Sequence, residues 1–484
     1  MAGIGFELKR LLARGTLLSV SRAYCVGAAV STGPFIFSVA TLALIGLIGS
    51  QRLEMAEHHL FTAGVVYVYA GAMVVAGAVH VVLTRYLADR LYLGQHDVVG
   101  ACLFPAMAIT AVVQLAVALP VAVRLELSVL GESMLLCLYL TAGATFTAMV
   151  FATSVKRHGT ILIAFVAGCA LATGLCFALP AKLGGAGLLA GFAAGQATAL
   201  AIIVGALVRE FGFAARWDWR VVGHARRYPA LVAGGLLMNA AIWVDKVVFW
   251  GSDLSVSVHG LVTAPAYDSA AFLGFLTAQP AIVHFFVKLE AQFADSFHRY
   301  YDAVFYRCSL GEIEQAAGEL RAAVRTCIVE IAQVQGLITL LCAVFASRLL
   351  AAAGLPLSQL GILRATIVGS FFLVLILTSN VLLLYLDRRR EVLAIGVVFA
   401  AANLGFSLWT RELGYQFFGF GFAVAALIGA AVSLFFVAVQ LANLEYVTFV
   451  GIPISGQKRA GPRLRARPRG GYGTYHPLAR DPVA

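Results

Sequence analysis

Runs of about twenty apolar residues, parted by short charged breaks, recur from Cys25 to Leu441 of this 484-residue chain. A helix needs about 20 such residues to cross a hydrocarbon core about 30 Å thick. Lipid offers no water to bond backbone groups, so each run must satisfy them internally, as a helix does. Barrel strands would be about half as long and would alternate in polarity. The spans fall at 24–49, 60–84, 98–123, 133–153, 160–179, 184–208, 230–250, 269–288, 326–347, 365–386, 392–410 and 418–441. With 61% hydrophobic and 12% charged residues, almost no chain is left for a water-soluble domain. The predicted fold is all-α and integral to the membrane, with about twelve transmembrane helices.

A net charge of +11 would suggest nucleic acid in a soluble protein. In a membrane chain, the distribution of Lys and Arg sets orientation instead. Alternating the sides assigns 28 basic residues to one face and 6 to the other, with Lys246 left inside a span, which accounts for all 35. The rich face takes the N-terminus, the 209–229 break, the triplet Arg388–Arg390 and the tail. Both termini are therefore expected in the cytoplasm. No cleavable signal peptide is expected, because the first span is too long for one.

Residues 1–17 place Ile4, Leu8, Leu11 and Leu12 opposite Lys9, Arg10 and Arg14, the pattern of a helix lying on the bilayer surface. Residues 18–208 and 230–450 form two six-helix halves, joined by the basic linker 209–229. Residues 289–325 continue the eighth helix into the cytoplasm. There Phe293, Phe297 and Tyr301 repeat at helical spacing among charges, an apolar stripe suited to docking a partner. The tail, 451–484, is rich in Arg, Gly and Pro and is expected to be disordered; anionic headgroups are its expected contact.

Several chemistries are missing. There is no GxxxxGK[ST] loop, DxD, HExxH or nucleophile elbow, and the eight cysteines form no CxxC pair. The outward loop with Glu54, Glu57, His58 and His59 is the best enzymatic candidate, yet short polar loops carry such residues by chance. No enzyme activity, cofactor or metal is expected. Polar groups within spans are more telling, because a charge at the bilayer centre costs about 2.5–3.5 kcal/mol or more.

The seventh span places Asn239, Trp243, Lys246 and Trp250 on one helical face, with Asp245 about 100° away. Amide, indole and ammonium groups suit a sugar: rings stack on pyranose C–H faces and the polar groups bond hydroxyls. Equally, Lys246 could snorkel to the interface beside belt tryptophans. Gly33 with Pro34, and Pro280, break the first and eighth helices. Glu330 is a further path candidate, near the cytoplasmic end of the ninth helix where an interfacial position also accounts for it; Asn380, Asn403 and His80 lie within spans, where such a residue is more often an interhelical hydrogen bond than a substrate ligand.

The opening MAGIGFELKRLL with RAY…STGPFIFS, the stretch NAAIWVDKVVFW (239–250) and YDSAAFLGFLTAQPAIVHFFVKLEAQF (267–293) resemble PelG, the inner-membrane transporter family of the Pel exopolysaccharide system. The resemblance runs to about residue 450. Ala291 after Glu290, and His284 in an otherwise apolar stretch, depart from the family pattern. It implies two six-helix bundles around a central cavity, as in the superfamily of multidrug, oligosaccharidyl-lipid and polysaccharide exporters. It also implies export of an N-acetylgalactosamine-rich polymer for biofilm matrix. The implied partners are a cytoplasmic glycosyltransferase, a cyclic-di-GMP-sensing membrane protein and a tetratricopeptide-containing membrane protein. Tyr267 and Asp268 join the candidate path through the third motif. The alternative is a cation-coupled antiporter or flippase of drugs or lipid-linked oligosaccharides, with Asp245 as its titrating carboxylate.

Overall fold

The computed structural model describes residues 10–155, 157–213, 217–306 and 308–450. Among them are twelve helices long and apolar enough to cross a membrane, one for each expected run. The expected surface helix at 1–17 lies mostly outside the described residues, and the tail at 451–484 lies wholly outside them.

The first run is two helices, α1 (Leu17–Ser31) and α2 (Gly33–Arg52), parted at Thr32. Pro34 has no amide hydrogen to donate back into α1, and its ring fits the first turn of a new helix. The first set continues with α3 (Met55–Tyr92), α4 (Val98–Ala122), α5 (Val129–Ser154), α6 (His158–Ala178) and α7 (Gly184–Phe211). The basic linker holds one short helix, α8 (Arg220–Arg227), and leads into α9 (Pro229–Trp250).

Between α9 and the eighth run lies a feature that no sequence pattern announced. It is an antiparallel ribbon of β1 (Val256–Val258) and β2 (Leu261–Thr263). The eighth run then splits, as Pro280 predicts, into α10 (Pro265–Leu276) and α11 (Gln279–Lys288), with the proline in the first turn of α11. A π-helical turn, Leu289–Phe293, joins α11 to α12 (Ala294–Phe305). A capping box of Ser309 and Glu312 then starts α13 (Leu310–Val344). The predicted single extension at 289–325 is therefore a helical hairpin. α12 folds back on the start of α13, with Arg299 paired to Glu319 at 2.8 Å. The remaining helices are α14 (Ala346–Ala352), α15 (Leu360–Tyr385), α16 (Arg389–Leu413), α17 (Phe420–Ala442) and α18 (Leu444–Phe449).

Helices α2–α7 pack chiefly on one another around cores that include Phe61, Leu138, Phe151 and Phe192. Helices α9–α17 do likewise around Phe249, Tyr267, Ile331 and Leu363. The two sets meet along two seams, α3 against α9 and α1 against α11. Away from the seams, α2 packs on α6 and α10 packs on α15, each within its own set, and Phe35 of α2 meets Phe272 of α10 with ring centroids 6.4 Å apart. The first seam depends on glycine. A Cβ on Gly77 would strike the carbonyl oxygen of Gly235, and the reverse holds for Gly235. Small residues let two membrane helices approach at backbone distance, where dispersion and weak hydrogen bonds act. The chain through Ala442 forms one compact unit, and the segment from Asn443 forms another.

Candidate functional site

Of the stripe predicted on α9, Trp243 and Lys246 stay together, the ammonium 5.6 Å from the centre of the indole ring, while Asn239 and Trp250 have partners of their own. Midway along α9, Asn239 bonds the Gly235 carbonyl of its own helix at 3.1 Å and lies against Gly77 of α3. At the end of α9, the Trp250 ring stacks on Tyr67 of α3, with centroids 4.8 Å apart and planes 15° apart. Its indole N–H donates to Asp268 at 3.0 Å, and Asp268 also accepts from the Ala264 amide at 3.3 Å. The Tyr67 hydroxyl donates to the Val262 carbonyl at 2.8 Å and accepts from the Val262 amide at 3.2 Å. Nearby, the Glu126 amide of the first set donates to the His259 carbonyl of the turn between β1 and β2, at 3.1 Å. The ribbon thus straps the two sets together.

Lys246 follows neither reading of it. It is 6% exposed, and its ammonium lies 3.2 Å from both carboxylate oxygens of Asp245, which is wholly buried. It also donates to the Ile242 carbonyl at 3.0 Å and sits 4.3 Å from the centre of the Phe275 ring. Asp245 and Lys246 therefore meet although helical spacing sets them about 100° apart. Spacing fixes only the directions of the Cα–Cβ bonds, and a four-carbon stem can turn back to the preceding residue. Asp245 is further held by the Tyr267 hydroxyl at 2.7 Å and by the Asn403 amide at 3.5 Å. Asn403 also donates to the Ala241 carbonyl at 2.7 Å, the interhelical role foreseen for it. Between these groups, the Trp243 indole N–H is buried with no partner among the described residues.

The remaining candidates are dispersed. Asn380 of α15 points its amide at the Met238 sulfur, 3.2 Å away, with its carbonyl oxygen unpaired. Glu330 of α13 belongs to the second seam. It pairs with Lys288 at 2.6 Å and approaches His284 at 3.6 Å, and His284 in turn meets the Tyr24 hydroxyl of α1 at 2.7 Å. Tyr24 was missed, because a lone tyrosine at a helix entry reads as an interfacial anchor. Phe293, Phe297 and Tyr301 do not form a free docking stripe. Phe293 is buried, and both phenylalanine rings pack on Tyr385 of α15, at 5.2 and 5.5 Å between centroids. Tyr301 packs against Phe297 with the ring planes tilted by 45°. The exposed apolar side chains of this hairpin are Phe305, Tyr306 and Leu310, at its tip.

The linker is anchored rather than loose where it is described. The Asp218 amide donates to the Ala101 carbonyl at 3.0 Å. Its carboxylate accepts from the Tyr86 hydroxyl and from the Arg220 amide and guanidinium, each at 2.9 Å. Burial alone would raise the pKa of Asp218, but the Arg220 and Tyr86 bonds outweigh it and hold the group below the usual carboxylate range. His224, edge-on to Tyr86 and Tyr228, is pushed below the usual imidazole range, by burial first.

Three comparisons bear on this architecture. By structure, the chain is similar to a multidrug resistance MATE family transporter of the MOP superfamily in its outward-facing conformation. The TM-score is 0.64 at 14% identity, over 88% of this chain and 96% of that one. It is also similar to a MATE in the straight conformation, with a TM-score of 0.61 at 15% identity over 92% and 99% of the two chains. A MOP superfamily transporter from Pyrococcus furiosus, described as having a binding pocket of reversed polarity, gives 0.61 at 14% identity over the same shares. At such identities these likenesses concern the fold. A comparison with curated protein sequences found no match. The family model of PelG, the exopolysaccharide exporter (EPS-E), matches residues 1–449. Twelve spans in two seamed sets, carrying the three motifs within that stretch, leave one conclusion: the chain belongs to the PelG family of exopolysaccharide exporters.

Proposed function

We propose that this chain carries a Pel-type polysaccharide, rich in N-acetylgalactosamine, across the bacterial inner membrane for use as biofilm matrix. The observation that carries the reading is the family match over residues 1–449, which takes in every membrane span. The bias of 28 basic residues against 6 supports a cytoplasmic placement of both termini and of the linker. Polymer made by a cytoplasmic glycosyltransferase would then enter from the basic side and pass between the two helix sets. The cyclic-di-GMP-sensing and tetratricopeptide membrane proteins would complete the complex. Docking falls to the exposed tip at Phe305, Tyr306 and Leu310 rather than to the packed Phe293, Phe297 and Tyr301.

Asn239 and Trp243 remain the path candidates of α9, and the unpaired Trp243 N–H is the donor a hydroxyl would meet. Trp243→Ala is expected to lose most secreted polymer at matched membrane abundance, as measured by lectin blot of culture supernatants. Wild-type secretion from Asn239→Ala and Trp243→Ala alike would remove this helix from the path.

The antiporter reading asks Asp245 to gain and lose a cation during transport. Lys246 already supplies a tethered ammonium there, with Tyr267 as a third partner. A neutral polymer needs no such exchange. Dye resistance abolished by Asp245→Asn with secretion intact would reverse this preference.

A further inference from the structure

Where α1 meets α11, Gly27 lies so close that an added Cβ would sit 2.6 Å from a Val287 methyl and 3.8 Å from one of Val283. Beside this apolar contact α11 sets His284, which is 9% exposed. Its Nδ1 lies 2.7 Å from the Tyr24 hydroxyl of α1, and the two rings are 12° from parallel. Its other nitrogen, Nε2, is buried and makes no hydrogen bond. It stops 3.6 Å from the Glu330 oxygen of α13 that Lys288 pairs with at 2.6 Å. The imidazole thus stands between a hydroxyl of the first helix set and a carboxylate of the second.

Buried side-chain nitrogens are ordinarily bonded, and this one is not. Its surroundings ask different things of the ring in its two protonation states. A neutral imidazole has one donor and one acceptor. A bare Nε2 would turn its lone pair on the Glu330 oxygen, so the proton belongs there and Nδ1 accepts from Tyr24 across the seam. A second proton makes both nitrogens donors. The Tyr24 hydroxyl then loses its acceptor, and the imidazolium is drawn toward Glu330, inside its own helix set. Lys288 already occupies that carboxylate, so the closed seam would hold two cations against one anion.

The titratable groups around the ring are Tyr24 from α1, Lys288 from α11, and Glu330 from α13, with Cys327 buried one turn before Glu330. Glu290 follows on the π-helical turn, and Arg22 and Cys25 of α1 are exposed. From α15 comes uncharged Val374, in an apolar cluster with Ala281 of α11.

We infer that His284 is a proton-binding site that latches the α1–α11 seam: the neutral ring holds Tyr24 and keeps the helix sets together there, and the protonated ring lets it go. The open arrangement binds the extra proton, so its share grows as pH falls. The inference concerns how the seam opens, whatever passes through it, so it stands or falls apart from the exporter reading.

The test uses the purified full chain in lipid nanodiscs, with its eight native cysteines replaced and spin labels on Ser21→Cys of α1 and Thr326→Cys of α13, both exposed positions. Electron–electron distances are read from about pH 8 to about pH 5, the range in which an ordinary histidine changes charge. The ratio of a longer to a shorter distance is expected to rise by about fivefold or more on acidification of the labelled parent chain. His284→Gln offers Tyr24 an acceptor but takes no proton, and is expected to keep the shorter distance throughout. Tyr24→Phe has no bond to release. Its longer population is expected to be raised already at about pH 8 and to change by about twofold at most. Glu330→Gln, which no longer draws the imidazolium, is expected to move the response to lower pH. A response that survives in His284→Gln, or parent distances that ignore pH, would overturn the latch. So would a Glu330→Gln variant that is open at every pH, since the carboxylate would then be the group that titrates.

Discussion

An ammonium and a carboxylate withdrawn from water each cost several kcal/mol, and only close pairing with further hydrogen bonds offsets this. Asp245 and Lys246 meet that condition through Tyr267, Asn403, the Ile242 carbonyl and the Phe275 ring. Removing one charge should therefore be worse than removing both. Lys246→Met is expected to destabilise the protein by about 3–5 kcal/mol, and Asp245→Asn combined with Lys246→Met to recover much of it, as read by thermal unfolding in detergent. A single variant as stable as the wild type would mean that water reaches the pair. The sequence told us that both residues lie within a span and that Asn403 would bond across helices. It could not tell us where Lys246 ends, because helical spacing aims the first bond of a side chain and leaves its remaining four free. The motif marked Tyr267 as a path candidate but gave no sign that its hydroxyl donates to Asp245.

At the scale of elements, what could be read from the sequence depended on whether a residue type constrains the backbone. Proline does, so the breaks at Pro34 and Pro280 were legible to within a few residues. Three-residue strands have no period to detect, so the ribbon of β1 and β2 was not. The hairpin of α12 and α13 was read as one extension, since the amphipathic pattern runs through the turn near Cys308 without change. The linker's anchorage depends on buried partners that no local pattern shows, and pH tests it. With its pKa lowered from 6.5, His224 remains neutral in place while its unfolded counterpart gains a proton, so anchorage weakens as pH falls below about 6.5. Asp218, lowered from 3.8, keeps its contribution above that value and loses it as pH falls further, through its depressed pKa. Hydrogen exchange across residues 209–229 is expected to rise in two stages on acidification. His224→Phe should remove the first stage, and Asp218→Asn should raise exchange already at pH 7. Exchange independent of pH would mean that neither group holds the segment.

Across the whole molecule, the two seams differ in kind. The α3–α9 seam is bonded at three depths: the Gly77–Gly235 contact, the Tyr67–Trp250 stack and the ribbon strap. The α1–α11 seam rests on Tyr24 with His284 and on Gly27, where a Cβ would lie 2.6 Å from a Val287 methyl. Opening is therefore expected along the second seam. In a background without the eight native cysteines, Gly27→Cys with Val287→Cys should form a disulfide, block secretion, and release it on reduction. Full secretion by the cross-linked protein would place the opening elsewhere. The length of α3 gives this asymmetry a reach. Thirty-eight residues make a rod about 57 Å long, nearly twice the thickness of the hydrocarbon it crosses. Gripped at Gly77, it is placed to act as a lever: each swing of about 10° would carry the Tyr92 tip about 4 Å, so that a rearrangement deep among the spans is magnified well beyond them.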